Sequence, residues 1–430
     1  MENRRKFIKN TAAISAVTIL SPSVAFTSEA NSAIRMGIIG CGGRGTGVIS
    51  SMSHHTNINI IAMADLFEDK LQSSKVKLDE CNTKNGYSDI QKSNTHIGPD
   101  AYRRLLDNND VDAVLISTPA YTHPGFLEAA VAAGKHVYCE KPVAPDVEGC
   151  KKVERIGKRI NGKLSIVVGF QIRHASPYVE MIKRIQRGDI GEIVSAELHY
   201  FSSGVPIKNI KGISYDEARI RNQYHFRALS GGILLDQGIH MLDVCNWALD
   251  SRPVSAIGIG GKKSGPDFGD TWNNFQIAYQ YPNDINVSIH STQIGPHFSD
   301  VCARFTGSKG IAEAHYSGGV FINGENTWDS GVLRHENQKV SQEQRNAGAF
   351  LSSLYDADAN KQKSFIGSIK TGNYLNETLS GVESTLTSIM GRDAATTNQE
   401  LGWDETYFSN ASLDPELNLS QFKNIPNDNR

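Results

Sequence analysis

Residues 35–45, Arg35-Met36-Gly37-Ile38-Ile39-Gly40-Cys41-Gly42-Gly43-Arg44-Gly45, decide the fold. Arg35 to Gly40 is a short apolar run suited to a buried strand. It leads straight into Gly40-Cys41-Gly42-Gly43-Arg44-Gly45, a match to G-x-G-x-x-G, and Thr46 to Met52 can continue as a helix. In such a turn the first glycine permits the tight bend, the second lets backbone approach a pyrophosphate, and the third lets helix pack on strand. The helix N-terminus, with its free N–H groups and positive dipole end, then receives the phosphates.

Working outward, Ile58 to Ala64 reads as the next strand and ends at Asp65, twenty residues beyond Gly45. That is the spacing of the acid that accepts a ribose 2′-hydroxyl. Because a carboxylate there repels a 2′-phosphate, NAD is preferred over NADP. Two other readings stay open: Asp65 as N-cap of a helix over Glu68 to Cys81, and Arg44 as a guanidinium that accommodates NADP.

Strand–helix alternation continues through Val111 to Ser117, Pro124 to Ala133 and His136 to Cys139, which implies a parallel sheet covered by helices on both faces. Ligands bind beyond the carboxyl ends of such strands, here at Thr118-Pro119-Ala120-Tyr121-Thr122-His123 and at Glu140-Lys141-Pro142. After a helix over Asp146 to Ile160, strand-like segments dominate: Ser165 to Gln171, Ile193 to Tyr200, Val254 to Gly260, Trp272 to Tyr279, Ile285 to Thr292 and Val301 to Thr306. The expected fold is therefore α/β: an N-terminal Rossmann doubly wound parallel sheet over 31–162, then an α+β domain over 163–400 with an open, mostly antiparallel sheet. Residues 401–430 read as a tail, and Asn373 to Met390 as a packing helix.

The balance of 44 Lys+Arg against 46 Asp+Glu gives a formal charge of −2, so nothing points to nucleic acid or an anionic membrane as partner. Residues 1–30 differ from the rest. Arg4-Arg5-Lys6-Phe7-Ile8-Lys9 is basic, Thr11 to Leu20 is apolar but too short to span a bilayer, and Ser23-Val24-Ala25 offers a cleavage site. The stretch resembles a twin-arginine export signal, a pathway that carries folded proteins to the periplasm; an ordinary secretory signal is the alternative. The six cysteines (41, 81, 139, 150, 245 and 302) show no C-x-x-C or zinc-type spacing, so all are expected to be unpaired and no metal site is expected.

The glycine turn, Ser117-Thr118-Pro119…His123, Glu140-Lys141-Pro142, and the later Gly231-Gly232-Ile233-Leu234-Leu235-Asp236-Gln237-Gly238-Ile239-His240-Met241-Leu242-Asp243 together resemble the glucose–fructose oxidoreductase / inositol dehydrogenase family (Gfo/Idh/MocA). The likeness runs from about residue 34 to 400. It implies a homo-oligomer with a sheet face covering the nicotinamide, and Lys141, Asp236 and His240 as the catalytic group. It also implies cofactor contacts from Gly40, Gly42, Gly43, Arg44, Gly45, Asp65, Thr118, Pro119, His123, Glu140, Lys141 and Gln171.

That group suits hydride transfer from a carbinol carbon, which needs a base for the hydroxyl proton and a cation beside the developing alkoxide. Lys141 is the cation. Asp236 and His240, at i and i+4, share a helix face, so the carboxylate is expected to orient the imidazole and support its cationic form. Asp243 is expected to bond backbone. Arg173, Tyr200, Tyr224 and His225, with Gln171, are the candidates for sugar hydroxyls, Arg173 having a surface ion pair as its alternative; His199 and Arg227 lie in the same polar stretches.

Export and a nucleotide are compatible if the dinucleotide is held tightly and restored within each turnover. Three functions then compete: a sugar or cyclitol oxidoreductase recycled by a second substrate, an NAD-dependent glycoside hydrolase working through transient C3 oxidation, and a non-catalytic sugar or nucleotide binder.

Overall fold

A computed structural model describes residues 32–160, 162–263, 267–294, 299–332 and 353–423. The basic and apolar stretch read as an export signal lies outside them. The folded unit begins at Ile34.

The first sheet has six parallel strands: β1 (Ile34–Ile39), β2 (Ile58–Asp65), β3 (Thr95–Ile97), β4 (Ala113–Ile116), β5 (His136–Cys139) and β6 (Ile166–Val168), in the order β3-β2-β1-β4-β5-β6. The order reverses between β1 and β4, which is where the glycine turn sits. Helices α1 (Gly43–His55), α2 (Glu68–Lys84), α3 (His123–Ala132) and α4 (Val147–Ile160) flank it. Burial on both faces explains the unbroken apolar runs: Met36 and Ile38 join one apolar cluster with Val48, Ile49, Leu71 and Leu78, while Ile39 joins the other with Val114, Ile116, Val153 and Ile156.

The second sheet has nine strands: β7 (Ile193–Phe201), β8 (Ser255–Gly261), β9 (Asn274–Tyr281), β10 (Ile285–Thr292), β11 (Asp300–Gly307), β12 (Gly310–His315), β13 (Val320–Gly324), β14 (Trp328–Asp329) and β15 (Leu401–Gly402). All neighbours are antiparallel except β7 and β10, so the expected mostly antiparallel sheet is what is found. Helices α5 (Tyr215–Arg221), α6 (Ile239–Leu249), α7 (Ala357–Thr371) and α8 (Thr378–Thr397) complete the set used below. Ala196 and Leu198 of β7, Ile289 of β10 and Met390 of α8 extend the larger apolar cluster without a break from the first sheet.

Two boundaries differ from those expected. The segment after residue 400 is no separate tail, because β15 pairs with β8 and adds an edge strand. Residues 357–377, far along the chain, belong with the nucleotide half: α7 packs on α1, and Phe365 and Ile366 enter its core. The segment after α7 closes the free edge of β6, where Ile166 N donates to the Leu375 carbonyl and Glu377 N to that of Ile166. The helix expected over 373–390 starts later, at Thr378, and Leu379 is exposed rather than packed.

α8 lies against β8 and β9 so closely that a Cβ at Gly391 would collide with the Tyr279 hydroxyl, which donates to the Thr387 carbonyl. Gly391→Ala is expected to lower stability by about 1–3 kcal/mol through overpacking, read as a reduced midpoint in thermal or urea unfolding.

Candidate active site

The turn from β1 into α1 fits a pyrophosphate. Gly40 sits at φ +97°, where a side chain would strike the Ser117 carbonyl; a Cβ at Gly45 would strike the carbonyl of Gly40; a Cβ at Gly42 would meet nothing within 4 Å. Gly42 therefore faces open space, and α1 begins there with no side chain capping its first amides. Asp65 is not the cap of α2, whose N-cap residue is Phe67. Its carboxylate accepts from Cys41 N at 2.6 Å and Phe67 N at 2.8 Å, which ties the end of β2 to the glycine turn. Burial outweighs these donors and pushes the carboxyl up to about 6. Arg44 is engaged by Glu140, Nε to Oε1 2.9 Å, which removes the reason for reading it as a 2′-phosphate site.

All four motifs meet on one cleft of about 940 Å³, lined by Gly40, Gly42, Gly43, Arg44 and Asp65 at the glycine turn and by Thr118, Pro119, His123, Glu140, Lys141 and Gln171 at the strand ends. The sheet half contributes Tyr200, Tyr224, Asp236, Gln237 and His240. Lys141 Nζ donates to the Asp236 backbone carbonyl and lies 3.5 Å from its Oδ1. The Lys141–Pro142 peptide is cis. His123 is buried with Nδ1 against the Pro142 carbonyl (2.7 Å) and Nε2 against that of Thr118 (2.8 Å); it pins the two strand-end loops together and offers a ligand no free nitrogen.

The expected Asp236–His240 partnership is replaced by another arrangement. Asp236 lies in a π-helical turn, Leu234–Gly238, and its carboxylate faces Lys141. The His240 ring is held instead by aromatic packing, with Phe170 edge-on at 6.2 Å, Tyr200 stacked at 6.3 Å and Tyr316 tilted at 6.4 Å. Burial, then the nearby Lys141 charge, holds its pKa well below the usual histidine value, so the ring is neutral rather than cationic. Its Nδ1 and the Oε1 of Gln171 are buried with no hydrogen-bond partner. Unsatisfied polar atoms at a cleft wall are what a bound ligand completes.

Two expected contacts lie elsewhere. Arg173 makes a forked ion pair to the buried Asp243 (Nε to Oδ2 2.9 Å, Nη2 to Oδ1 2.9 Å), and Ser384 Oγ donates to the same carboxylate. Asp243 thus binds two side chains rather than backbone, and Arg173 is consumed in packing. His225 does not line the cleft although its neighbour Tyr224 does. His199 is on strand β7, not in a connection, and successive residues of a strand point to opposite faces, so it turns away from Tyr200. All six cysteines are buried and unpaired.

One part of the site has no sequence motif. Phe67, Tyr102, Phe126, Lys208, Arg221 and Leu419 also line the cleft. α5 is clamped across it by Arg221, which stacks 3.9 Å over Phe67 and forks onto Asp69 at 2.7 and 3.0 Å. Residues 411–422 then strap α5 down: Leu413 N donates to Asp146, Arg219 to the carbonyls of Pro415 and Glu416, and Gln421 to Asp216, while Phe422 packs edge-on against Phe67. No motif in the sequence of residues 411–422 marks such a strap.

Residues 34–168 match the model of the oxidoreductase family with an NAD-binding Rossmann fold, and residues 178–313 match the GFO/IDH/MocA C-terminal domain. The chain belongs to the GFO/IDH/MocA family. Inositol 2-dehydrogenase 2 of Saccharopolyspora erythraea is 28% identical over 287 residues, 66% of this chain and 73% of the relative. The fold is shared with aldose–aldose oxidoreductase from Caulobacter crescentus complexed with glycerol (TM-score 0.65, 20% identity, 86% of this chain and 99% of that one). It is shared equally with scyllo-inositol dehydrogenase from Lactobacillus casei with bound NAD(H) and scyllo-inositol (TM-score 0.65, 20% identity, 86% and 99%). This GFO/IDH/MocA member is an NAD-dependent oxidoreductase, and its residues fit the group: the glycine turn and α1 amides for the phosphates, ionised Asp65 for the ribose.

Three outcomes follow from this geometry. NAD affinity, measured by calorimetry, falls as pH drops below about 6, where Asp65 takes up its proton, and Asp65→Asn removes that dependence. Because the folded value lies above that of a solvated carboxylate, the free protein also loses stability as pH rises from about 4 to about 6. Arg221→Ala, or truncation after Phe408, is expected to speed NAD release about tenfold or more (~1.4 kcal/mol), read by displacement kinetics.

Proposed function

We propose that this chain is an exported enzyme of carbohydrate or polysaccharide breakdown. It oxidises a CH–OH carbon of a sugar, sugar derivative or cyclitol, and it carries NAD as a tightly held group. The reading rests on one observation: Lys141, from the nucleotide half, and Asp236 and His240, 95 and 99 residues further along the chain, line the cleft that holds the glycine turn. The polyol substrates named for the relatives, inositols and aldoses, present adjacent hydroxyls to such a site.

NAD, when bound, supplies the hydride acceptor. The chain's own residues handle the proton and charge. His240, already neutral, accepts the hydroxyl proton without first losing one of its own. The Lys141 ammonium stabilises the oxygen as it becomes an alkoxide, and Asp236 holds that ammonium in place from two atoms. The aromatic cage around His240 excludes water, and Gln171 Oε1 offers an acceptor to a substrate hydroxyl.

The glycosidase alternative needs a further acid or base near the carbon next to the ketone. Tyr224 lines the cleft and is the candidate, in the role of acid, because the Asp236 charge, together with burial, pushes its pKa up and keeps the phenol protonated. Export is supported by Arg4-Arg5-Lys6-Phe7-Ile8-Lys9, and a strap beside the cleft favours retention of a group bound before transport.

Lys141→Ala and His240→Ala are each expected to cut turnover by about 10²–10⁴ while leaving NAD bound, as assayed by releasing NAD(H) from denatured protein; activity surviving both changes would overturn the assignment. A screen of free sugars and glycosides, with and without a carbonyl acceptor, separates the readings: acceptor-dependent oxidation marks the dehydrogenase, hydrolysis without net redox change the glycosidase. Arg4→Lys with Arg5→Lys should leave the protein in the cytoplasmic fraction if the export reading holds.

A further inference from the structure

The nine-stranded sheet presents a second group of chemically capable side chains on the face that His199 occupies, away from Tyr200 and the cleft. Register alone assembles it. His290 of β10 lies beside His199 of β7, His199 opposite Cys302 of β11, and Cys302 opposite His315 of β12. Directly paired residues share a face, so four adjacent strands set three imidazoles and a thiol in one row. Asp300, two residues before Cys302, falls on the same face.

The donor atoms of this row lie close together. His199 Nδ1 is 3.0 Å from Asp300 Oδ2, and His315 Nδ1 is 3.9 Å from Asp300 Oδ1. One donor atom each from His199, Asp300 and Cys302 all lie within 4.8 Å of one another. Around a tetrahedral ion with bonds of about 2.0–2.3 Å, donors sit roughly 3.3–3.8 Å apart, so small side-chain rotations suffice. The His315 ring is already oriented for this. Its Nε2 is taken by Glu313 at 2.5 Å, and Glu313 is fixed in turn by Arg304, which leaves Nδ1 toward Asp300. A carboxylate on the far nitrogen of a ligating imidazole is the usual outer-sphere support of a metal site. The thiol is buried, whereas His199, Asp300 and His315 are each about three-tenths exposed, which gives an ion a route in.

We propose that His199, Asp300, Cys302 and His315 bind a borderline divalent transition ion, Zn²⁺ by donor type, at a site separate from the oxidoreductase cleft. One thiolate, two imidazoles and one carboxylate select against Mg²⁺ and Ca²⁺, which take all-oxygen shells. The bound ion clamps β7, β11 and β12, and β7 carries Tyr200 into the cleft on its other face.

The test uses the NAD-loaded full chain, stripped with a chelator and titrated with Co²⁺ alone and with Zn²⁺ alone against a chromophoric competitor. The expected result is one ion per chain, with a near-ultraviolet thiolate-to-cobalt band. Cys302→Ser should lose the band, Asp300→Asn should weaken binding about tenfold or more, and Glu313→Gln should also cost about tenfold, as outer-sphere carboxylates do. Zn²⁺ should raise the melting temperature of the wild type and not of Cys302→Ser. Circular dichroism and NAD content show whether each variant is folded, and His199→Gln replaces Cys302→Ser if the serine variant is not. No saturable uptake at micromolar ion, weak uptake at several sites, or binding that survives both Cys302→Ser and His199→Gln would overturn the proposal.

Discussion

One cation joins the two halves of this molecule at the place where chemistry is expected. Lys141 leaves the end of β5 and delivers its ammonium to both the carbonyl and the carboxylate of Asp236, in the π-helical turn of the sheet half. The contact works only because the surroundings are rigid and dry. A lysine on a free loop spends its entropy in water, whereas this one is flanked by a pinned loop on one side and a helix start on the other. A continuous apolar cluster through both sheets fixes the distance between them.

Beneath Lys141 lies a layer of buried charge. Glu140 pairs with Arg44, and Lys361 of α7, fully buried, donates to the Val168 carbonyl and lies 4.7 Å over the Tyr138 ring. Ions placed there are costly to desolvate, and the layer is weak grounds for stability. Its geometric effect is clearer: a Cβ at Gly169 would collide with the Glu140 carboxylate, so β6, Glu140 and the backbone of Lys141 form one close-packed block. Removing either partner of the Arg44–Glu140 pair leaves an uncompensated charge under the reactive lysine.

The parts that were legible in the sequence are those whose signal is local. The glycine turn, the apolar run before it and the acid that follows at fixed spacing are read from neighbours along the chain, and each took its expected place at the cleft. Longer strands were found for the same reason, while β3 and β12 to β15, short or lying after the last run recognised, were missed. The i, i+4 spacing of Asp236 and His240 misled because a π-helical turn, not a regular helix, carries Asp236. Arg173 misled because its partner, Asp243, is seventy residues away in the chain. The row of His290, His199, Cys302 and His315 on β10, β7, β11 and β12 shows no metal-type spacing for the same reason: strand register, not sequence distance, brings it together.

The strap over residues 411–422 has a consequence for the order of biogenesis. Every element it crosses, α2, α4 and α5 included, is synthesised before it. A chain emerging vectorially can complete both sheets with its groove still open, and the nucleotide can diffuse in and out during that interval. The strap is thus the last part to be added, and a polypeptide ending at residue 410 would retain its sheets yet release its dinucleotide faster.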